Sequence, residues 1–239
     1  MSTRETLTLG ADRFRVGPWH ADAAIAYLTL PAEVPKPSAA GLHRCLERLR
    51  DEGYTSTITA ALHPEEAEAF LQAGFVEHDR LHVLSHDLRD LDPPRPQPDG
   101  SVRLVRGRRG DRPAALEVDR RAFPLFWRLD AAGLQDALDA TPRRRFRLAV
   151  RDGAVVGYAV TGRSGRQAFL QRLAVDPELR GRGVGSALVL DALRWAARRR
   201  VGRVLVNTQT TNERALDLYR RLGFVRTPTD LVVLTRPIT

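Results

Sequence analysis

The stretch from Ala168 to Arg200 constrains the fold of this chain more than any other part of its sequence. An apolar run ends at Val175, and Asp176-Pro177 then turns the chain. Three glycines at alternate positions precede a long helical pattern: Gly181, Gly183 and Gly185. The N-terminus of a helix carries unpaired N–H groups and a partial positive charge, and glycines allow an oxyanion to approach them. The stretch therefore predicts a strand, a turn and a helix that hold a diphosphate largely through the backbone.

The spacing of apolar residues predicts further elements between residues 101 and 239. The predicted strands are 101–107, 146–151, 154–161, 168–175, 203–208 and 231–235. The predicted helices are 112–123, 130–140, 181–200 and 212–222. Asp152-Gly153 and Ser164-Gly165 are typical of tight hairpins, and Gly202 is predicted to close the long helix as a C′ glycine. These elements predict an α+β architecture, a mixed sheet with helices on both faces.

A proline-rich segment divides the chain. Asp90 to Asp99 reads DLDPPRPQPD, and four prolines in ten residues exclude a helix interior or a central strand. We interpret 90–100 as a semi-rigid, extended linker between a first domain, 1–89, and a second domain, 101–239.

The first domain contains a reduced copy of the end of the second. A displacement of 149 residues places Gly53 on Gly202 and Phe70 on Tyr219. The same displacement places Gly74-Phe75-Val76 on Gly223-Phe224-Val225. Both copies then read helix, strand, helix, Gly-Phe and strand. The stretch of the first copy that corresponds to the glycine loop, PAEVPKPSAA at 31–40, has no similar pattern, so we expect the first domain to bind no cofactor.

The charge of the chain is unevenly distributed. Residues 1–100 carry a net charge of −6 and residues 101–239 one of +15, with Lys36 the single lysine among 38 basic residues. The second domain therefore favours a polyanionic partner, such as a phosphate-rich cofactor, nucleic acid or an acidic peptide. Cys45 lies in a helical pattern, where we expect a buried small residue, and a single cysteine fits a reducing compartment.

The sequence predicts neither a transmembrane helix nor a signal peptide. There is no apolar run of about 18 residues, and MSTRETLTLG lacks the apolar region of a signal peptide. We therefore predict a cytoplasmic protein without a membrane partner. The six histidines show no metal-ligand spacing, so we propose no metal site.

The residues around the glycines separate competing phosphate loops. Ser186 occupies the third glycine position of the dinucleotide fingerprint, and a Walker loop needs a Gly-Lys pair that is absent. The pattern that is present, Arg180-x-x-Gly183-x-Gly185, resembles the acetyl-CoA signature of the GNAT (GCN5-related N-acetyltransferase) superfamily. The structural alternative is a glycine-rich turn that only lets a helix pack tightly.

A second motif resembles the same superfamily. Residues 212–224 match the pattern N-x-x-A-x-x-L-Y-x-x-x-G-F at every named position. Asn212 is a plausible N-cap, and Ala215, Leu218 and Leu222 are expected to pack inward. Tyr219 lies beside that face. The second domain thus resembles a complete GNAT domain, with a mostly antiparallel mixed sheet flanked by helices. The first resembles a truncated GNAT-like α+β half, as in actinobacterial tandem GNAT enzymes such as mycothiol synthases.

The resemblance implies an acetyl-CoA-dependent N-acetyltransferase in which a primary amine attacks the thioester directly. Acetyl-CoA would lie in a V-shaped cleft between strands 168–175 and 203–208, and Tyr219 would be the general acid for the leaving thiolate. The residues expected to bind acetyl-CoA are Leu173, Ala174, Val175, Arg180, Gly181, Arg182, Gly183, Val184, Gly185, Ser186 and Asn212. A backbone N–H near Leu173 or Val175 would polarise the thioester carbonyl.

The general base and the acceptor stay open. Some peptide N-acetyltransferases of the superfamily carry a glutamate where this chain has Asn207, and Glu117 and Asp119 are expected to be solvated charges. The loop 123–130 supplies three aromatic residues that either line an acceptor pocket or belong to the core. A catalytically weak acyl-CoA-binding regulatory module and a basic nucleic-acid-binding protein are the alternative functions. The arginines are dispersed, which argues against nucleic acid as a partner, and a homodimer stays open.

Overall fold

The computed structural model describes residues 4–20, 22–31, 36–89 and 102–238. The predicted linker, 90–100, and part of the 31–40 segment lie outside the described residues. Two compact units emerge from the contacts of the chain. The first unit comprises Met1–Val83, Gln209–Thr211 and Pro228–Thr239, and the second comprises Leu84–Thr208 and Asn212–Thr227.

Strands and helices alternate along much of the described chain. The strands are β1 (Glu5–Leu9), β2 (Asp12–Trp19), β3 (Asp22–Thr29), β4 (Ser56–Thr59), β5 (Val76–His86), β6 (Val102–Arg106), β7 (Arg143–Arg151), β8 (Ala154–Ser164), β9 (Gln167–Val175), β10 (Arg203–Gln209), β11 (Val225–Arg226) and β12 (Leu231–Pro237). The α-helices are α1 (Ala39–Asp51), α2 (Pro64–Gln72), α3 (Arg112–Ala122), α4 (Ala131–Asp139), α5 (Val184–Ala197) and α6 (Glu213–Arg221). Short 3₁₀ turns occupy Arg109–Asp111, Leu125–Trp127 and Pro177–Leu179. The predicted α+β class is confirmed.

The second unit is a sheet with a separate apolar core on each face. Its strand order is β10-β9-β8-β7-β6, in which β9 and β10 are parallel and the other pairs antiparallel. One core packs α5 and α6 on the sheet through residues such as Leu188 and Leu216. The other core packs α3 and α4 through residues such as Val118 and Leu134. The predicted placement of helices on both faces is therefore confirmed.

The first unit has its own core, and its sheet includes β12 from the C-terminal end of the chain. Its strand order is β1-β2-β3-β4-β12-β5, and β12 runs antiparallel to both neighbours. Val232 and Leu234 of β12 belong to this core. Residues 231–235 are predicted to belong to the second domain, whereas in the structure they pair with β4 and β5 and belong to the first unit. Separation along the chain does not reveal such a pairing.

Cys45 also belongs to the core of the first unit. Its side chain is fully buried on α1, as predicted. Burial, and secondarily the charge of Glu52, raises the pKa of this thiol to about 12. Because a thiolate is needed for nucleophilic chemistry, Cys45 acts as a core residue.

The internal repeat recurs in the structure as a repeat of element order. The helix α2, displaced by 149 residues, coincides with α6 at both ends. Gly74 and Gly223, which follow the two helices, have φ angles of 81° and 84°. Phe70 and Tyr219 are both buried.

The predicted ends of the long helix in the second unit are wrong at both termini. It begins at Val184 because Gly181 and Gly183 have φ angles of 78° and cannot join a right-handed helix. It ends at Ala197, and the residue that takes the left-handed conformation is Arg200, with φ 54°, so Gly202 is not the C′ residue. The Val201 N–H donates to Ala196 O at 3.3 Å, which closes the helix before Gly202 is reached.

Candidate functional site

The strands β9 and β10 pair only at their beginnings. Their parallel register joins Arg203–Leu205 to Gln167–Phe169 and then stops, although both strands continue. On its other side β9 stays paired with β8 as far as Val175. Within the described residues, the final part of β9 therefore has no strand partner on the β10 side. This opening lies where the V-shaped cleft is expected.

A β-bulge in β9 changes which side chains face α3 and α4. The register with β8 shifts between Val160 and Thr161, and Gln171 is the residue left without an opposite partner. Leu170 and Leu173 consequently both pack on the α5 side, although they are three positions apart. Arg172 is directed instead to Asp119 on α3. A bulge reverses the alternation of a strand in this way, and the sequence carries no clear signal for it.

Two contacts hold the turn after β9 against the end of α3. Arg121 Nη1 lies 2.6 Å from Asp176 Oδ2, and the Asp176 carboxylate is buried. Arg180 Nη2 donates to Ala122 O at 3.0 Å. Asp176 also accepts from the N–H of Glu178 at 3.1 Å, which begins the 3₁₀ turn. The segment that leads into the glycines is thereby fixed in place.

The N-terminus of α5 is open to an anion. Gly183 is the N-cap residue, and among the described residues no side chain caps the helix and no acidic residue lies in its first turn. A Cβ added at Gly181 would meet no atom within 4 Å, so the glycine there serves backbone conformation and leaves space. The first N–H groups of α5 keep their partial positive charge, which favours binding of a phosphate.

Basic side chains add to this positive charge. Burial lowers the pKa of Arg180, and the nearby guanidinium of Arg214 on α6 lowers it further. Arg182 is exposed in the same loop. Asp176 partly offsets the repulsion between these like charges, and the remaining positive charge favours an anion. Arg214 could not be found from the sequence, because it belongs to a separate motif and acts on Arg180 only in the fold.

Gly185 has a different role from the other two glycines of the loop. A Cβ at this position would lie 3.3 Å from Leu218 Cδ2 on α6 and 3.7 Å from Val175 Cγ2 at the end of β9. Gly185 thus lets the first turn of α5 approach both elements. Tight packing, the structural alternative for the motif, accounts for this one glycine.

Tyr219 and Asn212 both lie on or next to α6. Asn212 caps the helix as predicted, because its Oδ1 accepts from the N–H of Ala215 at 3.2 Å. Tyr219 is only 4% exposed, and burial raises the pKa of its hydroxyl. Its hydroxyl has no hydrogen-bond partner in the part of the chain that the structure describes. The tyrosine therefore stays protonated and keeps its proton available for donation.

The buried face of α6 differs from the predicted one. Leu216 and Tyr219 are its buried residues. The three residues expected to face inward are partly buried against the same core: Ala215, Leu218 and Leu222. Tyr219 thus lies at the centre of the packed face rather than beside it.

A charged network holds the loop between α3 and α4. Asp119 is fully buried, contrary to the expectation of a solvated charge. It accepts from Arg172 Nε and Nη2 at 2.8 Å each, from the Tyr158 hydroxyl at 2.5 Å and from the Leu129 N–H at 2.8 Å. Arg172 also donates to Trp127 O at 2.7 Å and lies over the Phe123 ring. Asp119 therefore positions the 123–130 loop.

The aromatic side chains of that loop lie between core and surface. Phe123, Phe126 and Trp127 are each partly buried, and Leu125 is 67% exposed. Phe126 and Trp127 form an edge-to-face pair with ring centroids 5.0 Å apart. An apolar surface is thus available on the loop expected to face the acceptor, while the same side chains also pack partly into the protein.

Neither acidic residue named for base catalysis fits that role. Glu117 is exposed and hydrogen-bonded to Arg120, which lowers the pKa of its carboxyl. Asp119 is fully engaged in the network just described. Asn207 is exposed on β10 and carries no carboxylate. The general base stays unassigned.

The structure brings most of the predicted binding residues together at one end of the sheet. Leu173, Ala174 and Val175 end β9, and Val184, Gly185 and Ser186 form the first turn of α5. Arg180, Gly181, Arg182 and Gly183 form the loop between these elements. The residues that the sequence did not indicate are Asp176, Arg121, Arg172 and Arg214, each of which acts through a contact with a distant part of the chain.

Comparison with known proteins shows which proteins this chain is similar to. The model of the acetyltransferase (GNAT) family matches residues 112–224. Over 187 residues the chain is 32% identical to the mycothiol acetyltransferase of Amycolatopsis mediterranei (strain U-32). The aligned region covers 71% of this chain and 61% of that protein. Over 91 residues it is 37% identical to the N-alpha-acetyltransferase RimI of Mycobacterium tuberculosis, covering 36% of this chain and 56% of RimI.

A solved structure supports the same fold. A tandem GNAT protein from the clavulanic acid biosynthesis pathway superposes with a TM-score of 0.68 at 18% identity, covering 95% of this chain and 79% of that one. The chain spans less than two thirds of the length of either curated relative described above. Among the described residues, every helix is too short or too polar to cross a lipid bilayer.

Proposed function

We propose that this chain transfers an acetyl group from acetyl-CoA to a primary amine, because the model of the acetyltransferase (GNAT) family matches residues 112–224. The observation that carries the proposal is the uncapped N-terminus of α5, preceded in its loop by Arg180, whose pKa the guanidinium of Arg214 lowers. A single loop, 176–183, joins this cationic end to the part of β9 that has no strand partner on the β10 side. The N-terminus of α5 fits a diphosphate, and the unpaired end of β9 fits an extended arm of the same ligand.

The residues of the loop fit the donor. Acetyl-CoA supplies a thioester-activated acetyl group. The backbone N–H groups between Gly183 and Ser186 would bind its diphosphate, with Arg180 and Arg182 adding charge. The backbone of Leu173–Val175 would bind the pantetheine arm, and an N–H there would polarise the thioester carbonyl.

Tyr219 would hold and then release one proton. Because burial raises the pKa of its hydroxyl, the group is protonated at neutral pH. A neutral amine would attack the carbonyl carbon, the C–S bond would break, and the thiolate would take the proton from Tyr219 Oη. The acylated nitrogen loses one proton to water, and water returns one proton to Tyr219. Acceptors enter from the side of the loop 123–130, where Phe126 and Trp127 supply a partly exposed aromatic surface.

The names of the relatives suggest two acceptor classes for a first screen. One relative is named for mycothiol and the other for an α-amine. The screen should therefore contain the unacetylated amine form of mycothiol and short peptides with free N-termini. Polyamines, amino acids and aminoglycosides complete it, since the acceptor surface alone does not select among amines.

Two measurements test the proposal. Acetyl-CoA at about 100 times its Kd should stabilise the folded protein by about 2.7 kcal/mol, which thermal unfolding detects. At least one amine of the screen should then accelerate thioester consumption. Stabilisation without turnover on any amine would mean an acyl-CoA-binding module, and no stabilisation would contradict the assignment of the loop.

A further inference from the structure

A second cationic site lies at the edge of the sheet in the second unit. A cavity of about 400 Å³ is bounded by the segment from the end of β6 to the start of α3, and by the first residues of β7. Phe146, Leu138 and Trp195 form its apolar floor. The strand β7 extends beyond β6 here, since their pairing ends at Arg106 opposite Arg147. The open edge leaves room for a ligand.

Arginines dominate the lining of this cavity. Two of them have carboxylate partners: Arg144 pairs with Asp139, and Arg145 donates twice to Asp191, at 2.8 and 2.9 Å. Five others have no carboxylate partner within the described residues: Arg106, Arg108, Arg109, Arg112 and Arg199. The cavity therefore carries a large excess of positive charge.

Two of these five arginines donate hydrogen bonds to neutral groups, so the positive charge of each guanidinium stays uncompensated. Arg112 Nη1 donates to the Gln135 side-chain oxygen at 2.7 Å. Arg199 Nη1 donates to Trp195 O at 3.2 Å, and its guanidinium lies 4.7 Å from the centre of the Trp195 ring. Both side chains are thus held in position while several of their N–H groups stay available. Arg108 and Arg109 are exposed at the rim.

The cavity is separate from the proposed acetyl-CoA loop. Gly183 is the N-cap residue of α5, and Trp195 lies twelve residues further along the chain, within that helix. At 1.5 Å per residue the two positions are about 18 Å apart. The two cationic sites therefore lie towards opposite ends of α5, and one diphosphate cannot occupy both.

We propose that this arginine cavity binds a small polyphosphate anion, either inorganic or as part of a nucleotide. Guanidinium groups bind phosphate oxygens in a bidentate manner, and five uncompensated charges match a ligand with several negative charges. A volume of about 400 Å³ is that of a small-molecule site. The arginines also converge on one cavity, whereas a nucleic-acid surface would spread phosphate contacts along a stripe.

The first test measures binding of inorganic triphosphate by calorimetry at low salt. The test variant is the double substitution Arg108→Glu with Arg109→Glu. The control is Arg103→Glu with Arg143→Glu, which changes the net charge equally at exposed positions outside the cavity. We expect at least a tenfold weaker Kd in the test variant and an unchanged Kd in the control. Equal weakening in both would reduce the effect to net charge and overturn the proposal.

Further experiments distinguish the cavity from the N-terminus of α5, and an inorganic ligand from a nucleotide. Triphosphate binding that survives Gly183→Glu supports the cavity, and loss of triphosphate binding in that variant overturns the proposal. ATP that binds more tightly than triphosphate assigns the nucleotide form, and equal affinities assign the inorganic form. A DNA duplex that binds where triphosphate does not would overturn the proposal. If the Glu variant fails to fold, Arg108→Gln with Arg109→Gln should show the same loss.

Discussion

Arg172 of β9 donates two hydrogen bonds of 2.8 Å to the fully buried carboxylate of Asp119 on α3. The pair exists because the bulge at Gln171 directs Arg172 to the α3 face of the sheet. Arg172 then reaches Trp127 O, and Asp119 reaches the Leu129 N–H. The loop expected to contact the acceptor is thereby joined to the strand expected to contact the donor.

Removal of Asp119 should destabilise the protein severely. Asp119→Ala leaves the largely buried guanidinium of Arg172, 15% exposed, without a counterion. Loss of one partner of a buried pair costs about 3–5 kcal/mol. Urea unfolding followed by circular dichroism measures the change. The control is Glu117→Ala on the same helix, where two exposed ion pairs, with Arg120 and Arg121, are lost and the midpoint should change little. Similar midpoints in both variants would show that the Asp119 network is not structural.

The local elements of the fold could be predicted from the sequence, because periodicity and turn residues act over a few positions. The helix 212–222, for instance, agrees with α6 to within one residue at each end. The start of α5 was misplaced because Gly181 and Gly183 fit a helical pattern by position, while their left-handed backbone excludes them from the helix. The pairing of β12 with β4 depends on packing between distant segments, which periodicity does not encode.

The residues of the candidate site also fall into those that the sequence indicates and those that it does not. The glycines and Tyr219 belong to contiguous motifs and could be found from the sequence. Asp119, taken for a solvated charge, is fully buried because a bulge in β9 brings Arg172 to it. Arg214 approaches Arg180 only once α6 is packed. Residues whose role depends on a distant partner were those that the sequence could not assign.

Tyr219→Phe should reduce turnover while leaving acetyl-CoA affinity nearly unchanged. A general acid contributes about 10²–10⁴-fold to the rate, so we expect kcat to fall at least a hundredfold in a thioester assay. Stability should change little, because the hydroxyl has no hydrogen-bond partner among the described residues. An unchanged kcat would remove Tyr219 from the mechanism.

Tyr158→Phe is the matched control for that experiment. Tyr158 is also buried, but its hydroxyl donates to the Asp119 carboxylate at 2.5 Å. A hydrogen bond to a charged group contributes about 1.5–3 kcal/mol, so this variant should lower the free energy of unfolding. We therefore expect one tyrosine to affect rate and the other stability. Loss of turnover in both at equal stability would mean that the assay does not separate the two roles.

Gly183→Glu should abolish acetyl-CoA binding. The substitution places a carboxylate and a side chain at the N-cap of α5, where the diphosphate is expected. Gly153→Glu is the matched control, because Gly153 has a φ angle of 80°, close to the 78° of Gly183, and lies in a hairpin with open space around it. Both variants bear the same backbone strain and charge. Calorimetry should show binding in the control alone, and binding in both would show that the loop does not hold the donor.

Cys45 should resist thiol reagents until the protein unfolds. Burial raises the pKa of its thiol from 9.0 to about 12, so almost no thiolate forms in the native state at pH 8.5. Because the chain has one cysteine, the absorbance released by a disulfide reagent reports this site alone. Labelling should be slow in buffer and fast in urea. Fast native labelling would contradict the burial.

The same pKa predicts how stability depends on pH. Below pH 9 both native and unfolded states hold the Cys45 proton, so the thiol contributes no pH dependence there. Between pH 9 and about 12 the unfolded state loses the proton that the native state retains, and the free energy of unfolding falls by about 1.4 kcal/mol per pH unit at most. Urea unfolding of Cys45→Ala should show a shallower alkaline decline than the parent protein, because its unfolded state has no thiol to ionise. Parallel declines in the two proteins would assign the loss of stability to other groups.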